Sequence, residues 1–179
     1  MEWTALLATG TGALLALSGT VVADVIRSRR DRGHGDESQR RADYVDFLVA
    51  LSSTHGRLRA IARQGLDGRA LHVASREVIG ETGLHLAYEK LLISAPVVVG
   101  GACETVLLRL RKVRDAIGAG AKLNDRTYHD AFHPLQEAVW QLRSTFRTDL
   151  GRDAYTTDDL GLADLSGLSG CVVCAGSTG

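Results

Sequence analysis

Two imidazoles stand one helical turn apart in His129-Asp130-Ala131-Phe132-His133. At that spacing one face of an α-helix can hold a single metal ion. Glu137 falls one further turn along the same face and offers a carboxylate, so His129, His133 and Glu137 form a candidate ligand set. His55 or His85, on other helices, is a further source of a ligand, as in metal-binding bundles. The plainer reading is two polar side chains on a half-exposed face near a helix start. That reading is preferred, and metal binding is the alternative.

The histidine pair resembles the two-histidine zinc helix of metalloproteases but departs from it twice. Asp130 stands where the general-base glutamate would be, and Pro134 follows the second histidine at once. The three cysteines are Cys103, Cys171 and Cys174, an odd count with one close pair, which suits a reducing compartment better than a disulfide framework. Cys171-Val172-Val173-Cys174 is a lone C-x-x-C. A zinc site would need a second pair of ligands, for which Cys103 and a histidine would have to be brought from the bundle. A redox motif would need a structured helix N-terminus to lower the thiol pKa, and the surrounding tail is rich in Gly and Ser. The pair is read as incidental, with lipidation, a transient disulfide or the end of a modified-peptide precursor as alternatives.

No phosphate loop, nucleophile elbow or Glu-x-x-His di-iron pair occurs. The sequence therefore points to no catalytic residue and no cofactor. Arg109, Arg111, Lys112 and Arg114 form a basic cluster suited to anionic lipid, or simply to solvent. No aromatic residues interleave with it, which argues against nucleic acid.

What positions these groups begins with an apolar segment. Trp3 to Ala23 carries no formal charge, and a helix of that length spans about 30 Å, the thickness of a bilayer core. Glu2 precedes the run, and Arg27, Arg29, Arg30 and Arg32 follow it. This is the reverse of a signal peptide. The positive-inside rule places the N-terminus outside and the rest in the cytoplasm, with those four arginines at the membrane surface. Gly12, Ala16 and Gly19 mark small-residue ridges through which two such helices could associate. The expected organisation is a transmembrane anchor at 1–26, a basic juxtamembrane linker at 27–36, a helical bundle at 37–150 and a disordered acidic Gly/Ser/Cys tail at 151–179. The 179 residues balance 21 basic against 21 acidic side chains, a neutrality that hides a basic front and an acidic end.

Within the bundle four helices are expected. The first runs from about 37 to 64, with Ala42, Val45, Leu48, Leu51, Leu58 and Ile61 inward. The second covers about 69–93, with Leu71, Ala74, Val78, Leu84 or Leu86, and Leu91 inward, and is weakened by Gly80 and Gly83. The third covers about 95–117, capped by Ser94 with Pro96 in its first turn, and buries Val98, Val106, Leu110, Val113 and Ile117. The fourth is capped by Asn124 or Asp125 and runs to about Leu150. It carries the cleanest stripe, Tyr128, Phe132, Leu135, Val139, Leu142 and Phe146, and either kinks at Pro134 or begins effectively at His133. Short connections imply antiparallel neighbours. The fold class is all-α, an anchor followed by an antiparallel four-helix bundle and a disordered tail.

Met1-Glu2-Trp3-Thr4, the run from Gly12 to Asp24, Tyr128-His129-Asp130-Ala131-Phe132-His133 and Trp140-Gln141-Leu142-Arg143 resemble a group of small actinobacterial single-pass membrane proteins, over most of the chain up to about Gly151. The resemblance implies an anchor, an arginine-rich stop and a cytoplasmic helical domain, and it transfers no catalytic residue. The functional expectation is a membrane-tethered interaction protein without catalysis, contacting the bilayer and a protein partner or a second copy. Alternatives are a metal-binding enzyme or sensor using His129 and His133, and a small membrane-permeabilising toxin.

Overall fold

The computed structural model describes residues 36–156 and 171–175. The expected anchor, the association positions Gly12, Ala16 and Gly19, and the arginines at 27, 29, 30 and 32 lie outside the described residues. Among the described residues there is no strand, and no helix is long and apolar enough to cross a membrane. Residues 40–179 form a unit distinct from 1–39, and the packing below is that of this unit.

Helix α1 covers residues 36–61. Its buried face is Tyr44, Phe47, Leu51, Thr54 and Leu58, spaced 3-4-3-4. Of the expected stripe, Leu51 and Leu58 are buried and Leu48 and Ile61 pack partly buried against the core, but in the first turns Ala42 is exposed and Val45 points largely to solvent. Both rows satisfy helical periodicity. The observed one buries two aromatic rings, which carry far more apolar area than Ala and Val. Tyr44 stacks on Phe146 with ring centroids 4.1 Å apart, and its hydroxyl donates to Asp149 Oδ2 at 2.7 Å.

The expected second helix is two: α2, Gly68–Glu81, and α3, Leu84–Ser94. The break falls at Gly83, whose φ of +70° is a left-handed conformation that costs other residues energy. Leu71, Ser75, Val78, Leu84, Ala87 and Leu91 face inward, and Leu86 is exposed. Ser94 does not cap the next helix. It closes α3, and its hydroxyl donates to the buried Asp43 carboxylate at 2.6 Å, a partner that a desolvated carboxylate requires.

Helix α4, Val97–Gly118, has Pro96 at its N-cap and buries Val99, Cys103, Val106, Leu110, Val113 and Ile117. Val98, expected inside, is exposed, because the 4-3-4-3-4 row that reaches the core starts at Val99. At its far end α4 lies against α2: a Cβ on Gly118 would sit 2.7 Å from Ser75 Oγ. Helix α5, Arg126–Asp149, runs through Pro134 without a break and buries Tyr128, Leu135, Ala138, Leu142 and Phe146.

Cross-contacts fix the directions. The start of α1 meets the end of α3 (Asp43–Ser94) and the end of α5 (Tyr44–Asp149). The later part of α1 meets Thr82 and the start of α5 (Thr54–Thr82, His55–Tyr128). With α2 and α3 as one broken rod, the arrangement is up-down-up-down. One end of the bundle holds the start of α1, the α3–α4 corner and the end of α5. The other holds the end of α1, the α4–α5 connection and the start of α5.

Of the tail expected to be disordered, residues 151–156 and 171–175 are among the described residues. Arg147 donates to the Asp153 carbonyl at 2.7 Å and lies 3.8 Å over the Tyr155 ring. Residues Val172–Ala175 form a short helix, α6, packed against α5.

Candidate metal centre

Asp125 ends the α4–α5 connection in extended backbone, accepts the Lys122 amide on its carboxylate, and opens α5 at Arg126. His129 and His133 therefore occupy successive turns of one helix face, with ring centroids 5.4 Å apart. His129 Nε2 lies 3.0 Å from the Leu123 carbonyl. A carbonyl only accepts, so that nitrogen carries the proton and Nδ1 is left with its lone pair. Such a backbone anchor on the far nitrogen is the usual way a metal-binding imidazole is oriented.

The second half of the site comes from a segment some forty residues further on. Cys171 and Cys174 are separated by one turn of α6, so both thiols reach the same side. Cys171 Sγ lies 3.3 Å from His129 Nδ1, and Cys174 Sγ lies 3.5 Å from His133 Nε2. The four ligand atoms, two nitrogens and two sulfurs, all lie within 4.8 Å of one another. Cys174 is buried, and the other three residues are half-buried. With zinc–sulfur bonds of about 2.3 Å and zinc–nitrogen bonds of about 2.0–2.1 Å, a tetrahedron has sulfur–nitrogen edges near 3.6 Å. The two observed sulfur–nitrogen separations match that edge. The widest pair needs to close by about 1 Å.

The donor chemistry selects among metals. Two thiolates and two imidazoles suit zinc, whereas magnesium and calcium take oxygen ligands. Four protein ligands also fill a tetrahedral shell, which is the pattern of a structural rather than a catalytic site. His133 differs from His129: its Nδ1 is buried with no hydrogen-bond partner among the described residues, so it lacks the anchor on the far nitrogen that His129 has.

The two thiols titrate in opposite directions. Cys171 is shifted below its ordinary value, first by the Cys174 backbone N–H and then by the Cys174 thiol, both of which favour the thiolate. Cys174 is shifted up, first by burial and then by the neighbouring Cys171 sulfur. Two adjacent thiolates repel, and a cation held between them would favour ionisation of both.

The remaining candidates fall elsewhere. Glu137 is exposed and accepts from Gln141 at 3.4 Å. It lies outside the cluster, because one more turn along α5 carries it past α6. His55 stacks on Phe132 with centroids 5.1 Å apart and bonds the Tyr128 hydroxyl at 3.2 Å. Burial, and then the Arg59 charge, hold its pKa below the ordinary imidazole value. His85 is exposed beside Glu89. Cys103 is a core residue whose thiol burial pushes up to about 12. In the basic cluster on α4, Arg111 pairs with Glu104 and Arg114 with Asp115.

In the sequence the histidine pair stands as an alternative metal reading and the C-x-x-C as incidental; the structure brings the two pairs together, a juxtaposition that spacing along the chain does not signal. Compared with protein-family models, curated proteins and solved structures, the chain matches none of them.

Proposed function

We propose that this chain is a zinc-binding helical protein whose metal clamps its C-terminal segment onto the bundle. The observation that carries the reading is the convergence of His129 Nδ1, His133 Nε2 and the Cys171 and Cys174 thiols within 4.8 Å. A filled shell leaves no position for a substrate or an activated water, so the metal acts by holding α6 against α5, not by hydrolysis. The earlier candidate set of His129, His133 and Glu137 gives way to His129, His133, Cys171 and Cys174. The full chain, purified in mild detergent without chelator, should carry about one zinc per chain by elemental mass spectrometry. Cys171→Ser with Cys174→Ser, and separately His133→Ala, should lose the metal while keeping the helical circular-dichroism signal. A native chain that stays metal-free after incubation with zinc and gel filtration would sink the idea.

A second reading, that the bundle is tethered to a membrane as a docking domain, is favoured by one feature of the α3–α4 corner. Ile93, Val97 and Val98 are 88%, 94% and 69% exposed, an apolar cluster with no cover among the described residues. The corner lies at the end of the bundle where α1 begins, through Asp43 and Ser94. N-terminal to the bundle the sequence carries the arginines at 27, 29, 30 and 32 and the uncharged run from Trp3 to Ala23. This order of apolar run, basic stop and bundle is shared with the actinobacterial group the chain resembles. Residues entering an interface beside an anchor would be of this kind. Expressed in cells and fractionated, the full chain should pellet with membranes and resist carbonate extraction. Recovery in the supernatant would overturn the tether.

A further inference from the structure

A cleft of about 670 Å³ opens beside the metal centre, between the end of α1, the α4–α5 connection, the start of α5 and Val173 of α6. Three cations line it: Arg59 on the last turns of α1, Arg63 in the turn that follows the helix, and Lys122 from the connection. None of the three side chains has an ion pair or hydrogen bond among the described residues, whereas Arg57, one turn along the neighbouring face, is matched by Glu81. The acid in the wall, Asp125, turns its carboxylate to the Lys122 backbone amide. The charges act inward: Arg59 and Arg63 both oppose the rise in the Tyr128 pKa that burial produces. Tyr128, Phe132 and Leu123 give the rest of the wall an apolar, largely aromatic surface.

We infer that this cleft binds a small molecule carrying a phosphate group. Two guanidiniums and an ammonium without partners among the described residues match a compact, doubly charged oxyanion: arginine forks grip its oxygens in pairs, and lysine adds a mobile point charge. The aromatic wall accommodates an organic group attached to it. One wall belongs to the metal-held segment, since Val173 lies between the two cysteines and His129 both lines the cleft and binds the clamp. This coupling, unlike the anion site itself, rests on the zinc reading. Where both hold, zinc completes the cleft, and by linkage each ligand strengthens the other.

Isothermal titration of the full chain with phenyl phosphate, and in parallel with inorganic phosphate, tests the site. Phenyl phosphate should bind, and more tightly than inorganic phosphate. Arg59→Gln with Arg63→Gln should weaken it about tenfold or more with zinc content and helicity unchanged. Binding that is undetectable in the native chain, or equal in native and arginine-substituted chains, overturns the site. Chelation should weaken phenyl phosphate binding in the native chain, which supports the coupling. If zinc proves absent altogether, the arginine comparison still decides the anion site in the metal-free chain, so the two readings fail separately.

Discussion

His55 shows how much of a residue's chemistry depends on what packs against it. In the sequence it is one of six histidines, open to use as a metal ligand. In the fold it is stacked on Phe132 and bonded to Tyr128, with Arg59 on its own helix as the nearby charge and Arg143 lining the same groove. Burial keeps it neutral below the 6.5 of a free imidazole. Between that depressed value and 6.5 the unfolded chain binds a proton that the folded chain does not. Unfolding then takes up protons, and stability falls as pH drops through this window. Thermal melts of the chelated chain should therefore lose more stability between pH 7.5 and pH 5 than melts of His55→Gln. Equal losses would mean that the imidazole is no more buried than in the unfolded chain. The cysteines make the same point. Sequence separates Cys103 from the close pair, but only packing shows one thiol sealed in the core and two facing imidazoles.

At the scale of the elements, periodicity locates the long helices among the described residues, running α2 and α3 together, but does not orient all of them. On α5 the expected row holds at Tyr128, Leu135, Leu142 and Phe146, which are buried, while Phe132 and Val139 are partly buried against the core and Ala138 is sealed beside them. On α1 two rows compete, and the aromatic row wins by burying Tyr44 and Phe47. The break between α2 and α3 was signalled by two glycines, and only the backbone distinguishes their roles. Gly80 lies inside α2 with open space where a side chain would be, and Gly83 holds φ at +70°. The two should respond to alanine with opposite signs. Gly80→Ala should stabilise by about 0.5–1 kcal/mol through reduced backbone entropy in the unfolded chain. Gly83→Ala should destabilise by about 1–2 kcal/mol, the cost of placing a Cβ in the left-handed region. Urea midpoints at unchanged slope would measure both. Destabilisation by both substitutions would mean that α2 does not tolerate a side chain at its end. Stabilisation by both would mean that α2 and α3 can straighten into the single helix that the sequence suggested.

For the whole unit, the core and the metal centre draw on different parts of the chain, and this separates their stabilities. The packed core runs from Tyr44 to Phe146 through α1 to α5. The proposed metal centre adds Cys171 and Cys174, beyond a Gly/Asp/Ser-rich stretch of the sequence. Composition describes what a segment can bury, not which ligands it carries, so a tail with little apolar content was read as inert. A metal that binds only the folded chain stabilises it by mass action, about 2.7 kcal/mol at a hundredfold excess over its dissociation constant. Chelation should thus lower the melting temperature of the full chain, and added zinc should restore it. A chain ending at Thr156 keeps the core residues from Tyr44 to Phe146 and the histidine pair but lacks both thiols. It should melt cooperatively near the chelated full chain and show no zinc shift at stoichiometric metal. A zinc shift that survives this truncation would place the metal among other ligands. Loss of the cooperative transition on truncation would make the C-terminal segment part of the core in its own right, and the metal would then merely reinforce a contact that packing already makes.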